Sequence, residues 1–273
     1  MNFVLLRVLI AVGGTALLAW EDWRTSFMDD RVLYAMIAFG AFLNLATLDA
    51  AFVFSAFAPF TLIMLAGYFL WKAGQFGAGD VYLFGALVLL LPFHPFGFPS
   101  FLPFAASVLL AASLFAVVCS ALGYAVMLHR KLRGGKAFVL AALSVAGVAL
   151  FYFGLSWLSL TFYALYWSAV FLFLYRKEII DVNLEWVPFK RVDEEDVLAL
   201  DRLPKKVVCK FGLERVATKA QLRRLKKSGL KKFPVYKHLP RFGPYVFLGL
   251  VACLLAGDAL VFIVSQPILI PLP

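Results

Sequence analysis

The sequence predicts an all-α fold, a polytopic transmembrane bundle of about eight spans with a polar cytoplasmic segment before the last helix. Three observations carry this prediction. The 273 residues are 63% hydrophobic and 15% charged, with a mean hydropathy of +0.88, whereas soluble domains hold about 45–50% apolar and about 25% charged residues. Apolar runs near the roughly 20 residues that a helix needs to cross a bilayer recur along the chain. When those runs are threaded alternately through a membrane, all of the 26 Lys and Arg residues except Arg7 fall on one side, as the positive-inside rule demands.

The runs lie at about 3–20, 31–48, 50–71, 81–98, 101–128, 137–154, 158–175 and 244–266. The first has no small-residue cleavage site and is followed by acids, which reads as a retained helix and not a signal peptide. Asp29 and Asp30 precede the second run and are expected to cap it. The fourth run is broken at its far end by Pro92, His94, Pro95 and Pro99. Gly154, Ser156 and Ser159 mark either a hairpin between two helices or the interior of one long tilted helix. The last run carries Asp258 in its middle.

Threading from an outer amino terminus makes 21–31, 72–80, 129–136 and 176–243 the inner segments. The outer loops near Asp49, Pro95 and Ser156, and the tail after Ser265, hold no Lys or Arg. The expected organisation is a helical catalytic region over 1–175, a cytoplasmic soluble segment over 176–243, and a final helix with an outer tail over 244–273. The soluble segment has an acidic patch, Asp193 to Asp196, and a basic stretch, Gln221 to Lys227, in which Leu222 and Leu225 are spaced for a short amphipathic helix.

The net charge of +10 sits beside apolar spans, so the partner it implies is anionic lipid headgroups and not nucleic acid. Cys119, Cys209 and Cys253 are far apart and form no CxxC pair, which supports neither a disulfide framework nor a zinc site. His94, His129 and His238 are equally isolated, and no metal or organic cofactor is expected.

Ionisable groups within or at the end of a span are costly and are functional candidates for that reason. Glu21/Asp22, Asp80 and Asp258 qualify. In the threading above, Asp22 ends the first span and Asp80 begins the fourth, both at the inner membrane face. Equal depth on one side is what two carboxylates need to share one water. Asp80 is preceded by Gly74-Gln75-Phe76-Gly77-Ala78-Gly79, and glycines before a span let neighbouring helices approach closely. Asp258 reads first as a buried structural acid. Arg24 reads as a positive-inside anchor or as a residue that orients substrate or carboxylate.

Gly77-Ala78-Gly79-Asp80 matches the GxGD motif of the GxGD aspartyl peptidases. The stretch from Asp22 to Asp30, with Arg24 and Met28 between them, resembles the first motif of the type IV prepilin and preflagellin peptidase branch. Leu239-Pro240-Arg241-Phe242-Gly243-Pro244-Tyr245, followed by Gly249, resembles the Pro-rich lead-in to that family's last helix. The chain departs from the family pattern at Asp29, where Pro is common, and at Asp30, where Asn is common. It also lacks the cysteine tetrad and methylation region of the bacterial enzymes, so it resembles the archaeal, peptidase-only members.

The resemblance implies an aspartic endopeptidase in the plasma membrane with Asp22 and Asp80 as catalytic pair and Gly77, Gly79 and Arg24 in support. Its implied partners are precursor proteins with class III signal peptides, the prepilins and prearchaellins, cut at the cytoplasmic face. A signal-peptide-peptidase-like GxGD protease and a proton-coupled transporter are the alternatives; the former would carry a Pro-Ala-Leu motif, which this sequence lacks. Two adjacent carboxylates would share a proton at working pH. The helix dipoles of the first and fourth spans predict Asp80 as the base and Asp22 as the protonated partner.

Overall fold

The computed structural model describes residues 3–98, 103–129, 135–152, 157–193, 196–227, 230–237 and 240–258. Each of the eight apolar runs contains a helix: α1 (Val4–Thr25), α2 (Asp30–Leu45), α3 (Ala50–Lys72), α4 (Ala78–Leu90), α5 (Phe104–Leu128), α6 (Gly135–Tyr152), α7 (Trp157–Leu174) and, after the polar segment, α11 (Gly243–Ala256). Among the described residues α1, α3 and α5 are long and apolar enough to cross a membrane by themselves. The run over 137–175 resolves into two helices that pack on each other. The hairpin residues Gly154 and Ser156 lie outside the described residues, as do Pro99, Arg130 to Arg133, Glu194, Glu195, His238, Leu239 and the tail from 259 onward.

Local chemistry sets the helix ends. Asp29 caps α2 and accepts the backbone N–H of Arg31 at 2.8 Å, as its sequence position predicted. Asp49 does the same for α3 through Ala51 and Phe52. α1 closes on Ser26 in the left-handed region, φ 62°, with its N–H returned to the Asp22 carbonyl.

α4 is the axis of the bundle. From Leu83 to Leu90 every residue is buried, the pattern of a helix enclosed on all sides. α1, α2, α3 and α5 all touch it, and its side chains join those of α1, α2, α5 and α11 in one core. α2 comes close because Gly40 faces it: a Cβ there would lie 2.7 Å from Leu89 Cβ. α3 stands at the periphery, with only Ala56 and Gly67 buried, and its outward Phe54, Leu62 and Phe69 suit contact with lipid tails.

α4 ends well before the run over 81–98 does, because the chain turns at Pro92. Its carboxyl end meets polar groups inside the bundle. The buried guanidinium of Arg7 donates to the carbonyls of Leu89 and Leu90, each at 3.2 Å, and to Asn44 Oδ1 at 2.7 Å. Asn44 in turn donates to the Leu89 carbonyl at 2.9 Å. The one basic residue that breaks the charge asymmetry of the sequence thus satisfies helix-end carbonyls that no water reaches.

The polar segment is not purely helical. After α8 (Arg176–Asn183) come β1 (Leu184–Pro188), β2 (Val197–Leu198), α9 (Lys205–Phe211), α10 (Lys219–Lys227) and β3 (Lys232–Tyr236), with the sheet in the order β1-β3-β2, all antiparallel. Val187, Leu198, Leu225, Phe233 and Val235 form its core. α10 is the amphipathic helix expected from Leu222 and Leu225. The sheet was not expected, because Pro188 and Pro234 interrupt the alternation that would betray two of its strands. α11 also differs from its expected span. It stops at Ala256, and Gly257, at φ 82°, turns the chain so that the buried Asp258 lies beyond the helix and not within it.

Candidate active site

Asp22 sits on the last turn of α1, and Asp80 is the third residue of α4. The paired helices α2 and α3 lie between them in sequence, so the chain returns to the end of the bundle where it started. Both acids line one cavity of about 850 Å³, near enough for the charge of Asp22 to act on Asp80. Ser113, Ser120 and Tyr124 of α5 form a wall of this cavity, and Asp193, Asp196, Tyr236 and Lys237 of the small sheet unit face it from the other side. The cavity therefore lies at the junction of the apolar helices and the polar segment.

Asp22 is buried, 7% exposed. Its Oδ2 accepts the backbone N–H of Gly243 at 2.9 Å. Gly243 is the first residue of α11, whose own N-cap, Phe242, offers no side-chain acceptor. The carboxylate of the first helix thus caps the last one. A Cβ at 243 would stand 2.9 Å from Asp22 Oδ2 and 2.9 Å from Met28 Cε, so any other residue there would push these side chains aside. Two residues earlier, Arg241 donates from Nε to Ser26 Oγ at 2.9 Å and brings its charge to bear on Asp22.

Asp80 takes its backbone N–H partner from Gly77, at the start of its own helix. Gly77 caps α4 without a side chain, and Asp80 Oδ1 is buried with no hydrogen-bond partner among the described residues. Met28 lies between the two acids' supports, its sulfur 3.3 Å from where a Cβ of Gly79 would be and its methyl against Gly243.

Of the residues singled out in the sequence, Asp22, Asp80 and Gly77 line the cavity. Gly79 packs on Met28 beside it. Arg24 does not reach it. Its guanidinium lies over the Trp20 ring at 5.5 Å, on the exposed side of α1. The cation near the carboxylates is Arg241, because the two-residue step from Asp22 to Arg24 carries a helical side chain to a different face. Sequence reasoning quoted Arg241, Gly243 and Met28 in the motif stretches without giving them a role at the site, and it did not single out Lys237. The available signal was Gly243-Pro244, a helix start at the same membrane face as both acids. The amino end of α11 also lies against Asp22 and supplies a field opposite to that of the end of α1.

Residues 9–125 match the type IV leader peptidase family. The matched stretch starts in α1 and ends in α5, so it contains Asp22, Gly77, Gly79 and Asp80, while Arg241 and Gly243 lie outside it. The match indicates a peptidase. No curated protein and no solved structure matches this chain.

Proposed function

We propose that this chain is an aspartic endopeptidase of the plasma membrane. In this reading it removes short class III signal peptides from prepilin- or prearchaellin-type precursors. The observation that carries it is the shared cavity: two carboxylates from distant parts of the sequence open into one space at the boundary between apolar helices and polar segment. A precursor whose hydrophobic segment lies among the helices would present the bond before that segment at this depth.

One carboxylate takes a proton from a bound water, which attacks the peptide carbonyl. The other, protonated, donates to the carbonyl oxygen as the tetrahedral intermediate forms. Multi-pass insertion with about eight spans, division at 175 and 243, the cavity at the cytoplasmic face and archaeal origin complete the reading. Their support is the helix at every apolar run and the one-sided basic charge. A proton-relay transporter would need its acids along one path. Asp258 follows the far end of α11, a helix of 14 residues and so about 20 Å long, from the end that Asp22 caps.

The test is processing of prepilin and prearchaellin precursors in membranes by wild type, Asp22→Asn and Asp80→Asn. Wild type should trim the leader, and each variant should accumulate normally yet leave it uncut. Normal trimming by both variants would remove the aspartyl mechanism. An inert wild type would remove the substrate class.

A further inference from the structure

We propose that the amino terminus of α11 assigns the two roles: Asp22 is the ionised base, Gly243 is the positioning residue that holds it, and Asp80 is the proton donor. This rests on the two-carboxylate reading above and reverses the assignment that the dipoles of α1 and α4 suggest by themselves.

The argument is one of partners. A buried carboxylate needs hydrogen-bond donors, whereas a protonated carboxyl needs fewer. Asp22 has the N–H of Gly243 at 2.9 Å, the positive end of a 14-residue helix behind that N–H, and the Arg241 guanidinium nearby. Asp80 has the field of α4 and the backbone N–H of Gly77, but no cation beside it, and its Oδ1 is buried without a hydrogen-bond partner among the described residues. A buried oxygen without a donor suits the neutral, protonated form of the carboxyl, which is the form that donates to substrate. The other charged groups facing the cavity, Asp193, Asp196 and Lys237, are tied to one another on its sheet side: Lys237 Nζ lies 2.7 Å from Asp196 and 3.2 Å from Asp193.

The proton balance follows. Asp22 takes a proton from water as the water oxygen bonds to the peptide carbon. The carbonyl electron pair moves to its oxygen, which takes the proton of Asp80. On collapse the C–N bond breaks, its electron pair stays on nitrogen, and nitrogen takes the proton now on Asp22. A gem-diol hydroxyl returns its proton to Asp80. Both acids end as they began, and one water is consumed.

Gly243→Ala is the test, because its Cβ would stand 2.9 Å from Asp22 Oδ2 and 3.1 Å from Asp22 Cβ, displacing the carboxylate from its donor. The expected result is a fall in kcat of up to about 100-fold, the cost of a misplacement near 1 Å, with KM nearly unchanged. The acid limb of the pH–kcat/KM profile should move to higher pH. Gly249→Ala is the control: its Cβ meets the α5 backbone, 2.7 Å from Ala112 N, and lies in the helix-packing surface away from Asp22. It should lower thermal stability and leave both limbs in place. A Gly243→Ala profile in which the basic limb moves, or neither limb moves, overturns the assignment. If Gly243→Ala does not accumulate, Arg241→Gln reads the same limbs under the same criteria. Loss of cleavage in Asp22→Asn and Asp80→Asn together with unmoved limbs would sink this inference alone and leave the peptidase reading standing.

Discussion

The backbone N–H of Gly243 donates to Asp22 Oδ2 at 2.9 Å, so the first helix and the last are joined by a single hydrogen bond at the candidate active site. Around it the guanidinium of Arg241 reaches Ser26 at the end of α1. The polar segment lies between these helices in sequence, and its Lys237 and Tyr236 face the same cavity. Folding of that segment therefore bears on whether the cavity is complete.

Arg24 and Arg241 separate the sequence expectation from the structure. Arg24→Ala loses only an exposed contact with Trp20 and should leave precursor processing within about twofold of wild type, as surface changes usually cost within about 0.5 kcal/mol. Arg241→Ala removes the Ser26 contact and the charge near Asp22, and should slow processing by about tenfold, the worth of one charge-assisted contact. A severe Arg24→Ala defect beside a normal Arg241→Ala enzyme would reverse this placement.

Arg7 is the stabiliser of the far end of α4. Arg7→Met leaves Asn44 Oδ1 and the buried carbonyls of Leu89 and Leu90 without its donors. Loss of charged hydrogen bonds in a buried network should cost about 2–4 kcal/mol. Unfolding in detergent, followed by denaturant titration, measures it. Equal stability of wild type and variant would show that water or lipid replaces the guanidinium.

The small sheet unit should be independently breakable. Phe233 of β3 is fully buried in one core with Val187 of β1 and Leu225 of α10, and Phe233→Ala should cost about 3–5 kcal/mol. Faster proteolysis within 176–243, with helix content over the apolar runs retained, is the expected outcome. Cleavage of precursor should fall with it, since Asp196 and Lys237 leave the cavity wall. Undiminished processing by a proteolysed unit would show that this wall is dispensable.

Lys237 gives a pH signature outside the membrane helices. Burial by itself would lower its pKa, but hydrogen bonds and charge from Asp196 and Asp193 more than offset this, and the ammonium titrates above its ordinary 10.5. A group raised on folding stabilises fully below its unfolded value and loses that stabilisation as pH rises through the folded one. The stability difference between wild type and Lys237→Met should therefore be constant from neutral pH to about 10 and shrink above it. A difference that grows in alkali would contradict the pairing.

The one-dimensional pattern of this chain determined a great deal. Run length and charge asymmetry marked every apolar helix, because lipid leaves a backbone no other way to satisfy itself. Asp29 marked the start of α2, and the spacing of Leu222 and Leu225 marked α10, because caps and amphipathic faces are local. Asp22 and Asp80 were legible as a pair for a similar reason: alternating spans convert sequence order into depth. Depth is all that alternation encodes. Which side chain meets which at that depth depends on the rotation and packing of helices far apart in sequence, and only the tertiary structure decided it. That is why Arg241 and not Arg24 approaches the acids, why Gly243 holds Asp22, and why Asp80 Oδ1 is left buried without a hydrogen-bond partner among the described residues. The helix field that a carboxylate feels comes from whatever end lies against it in space, and for Asp22 that end begins 221 residues later in the chain.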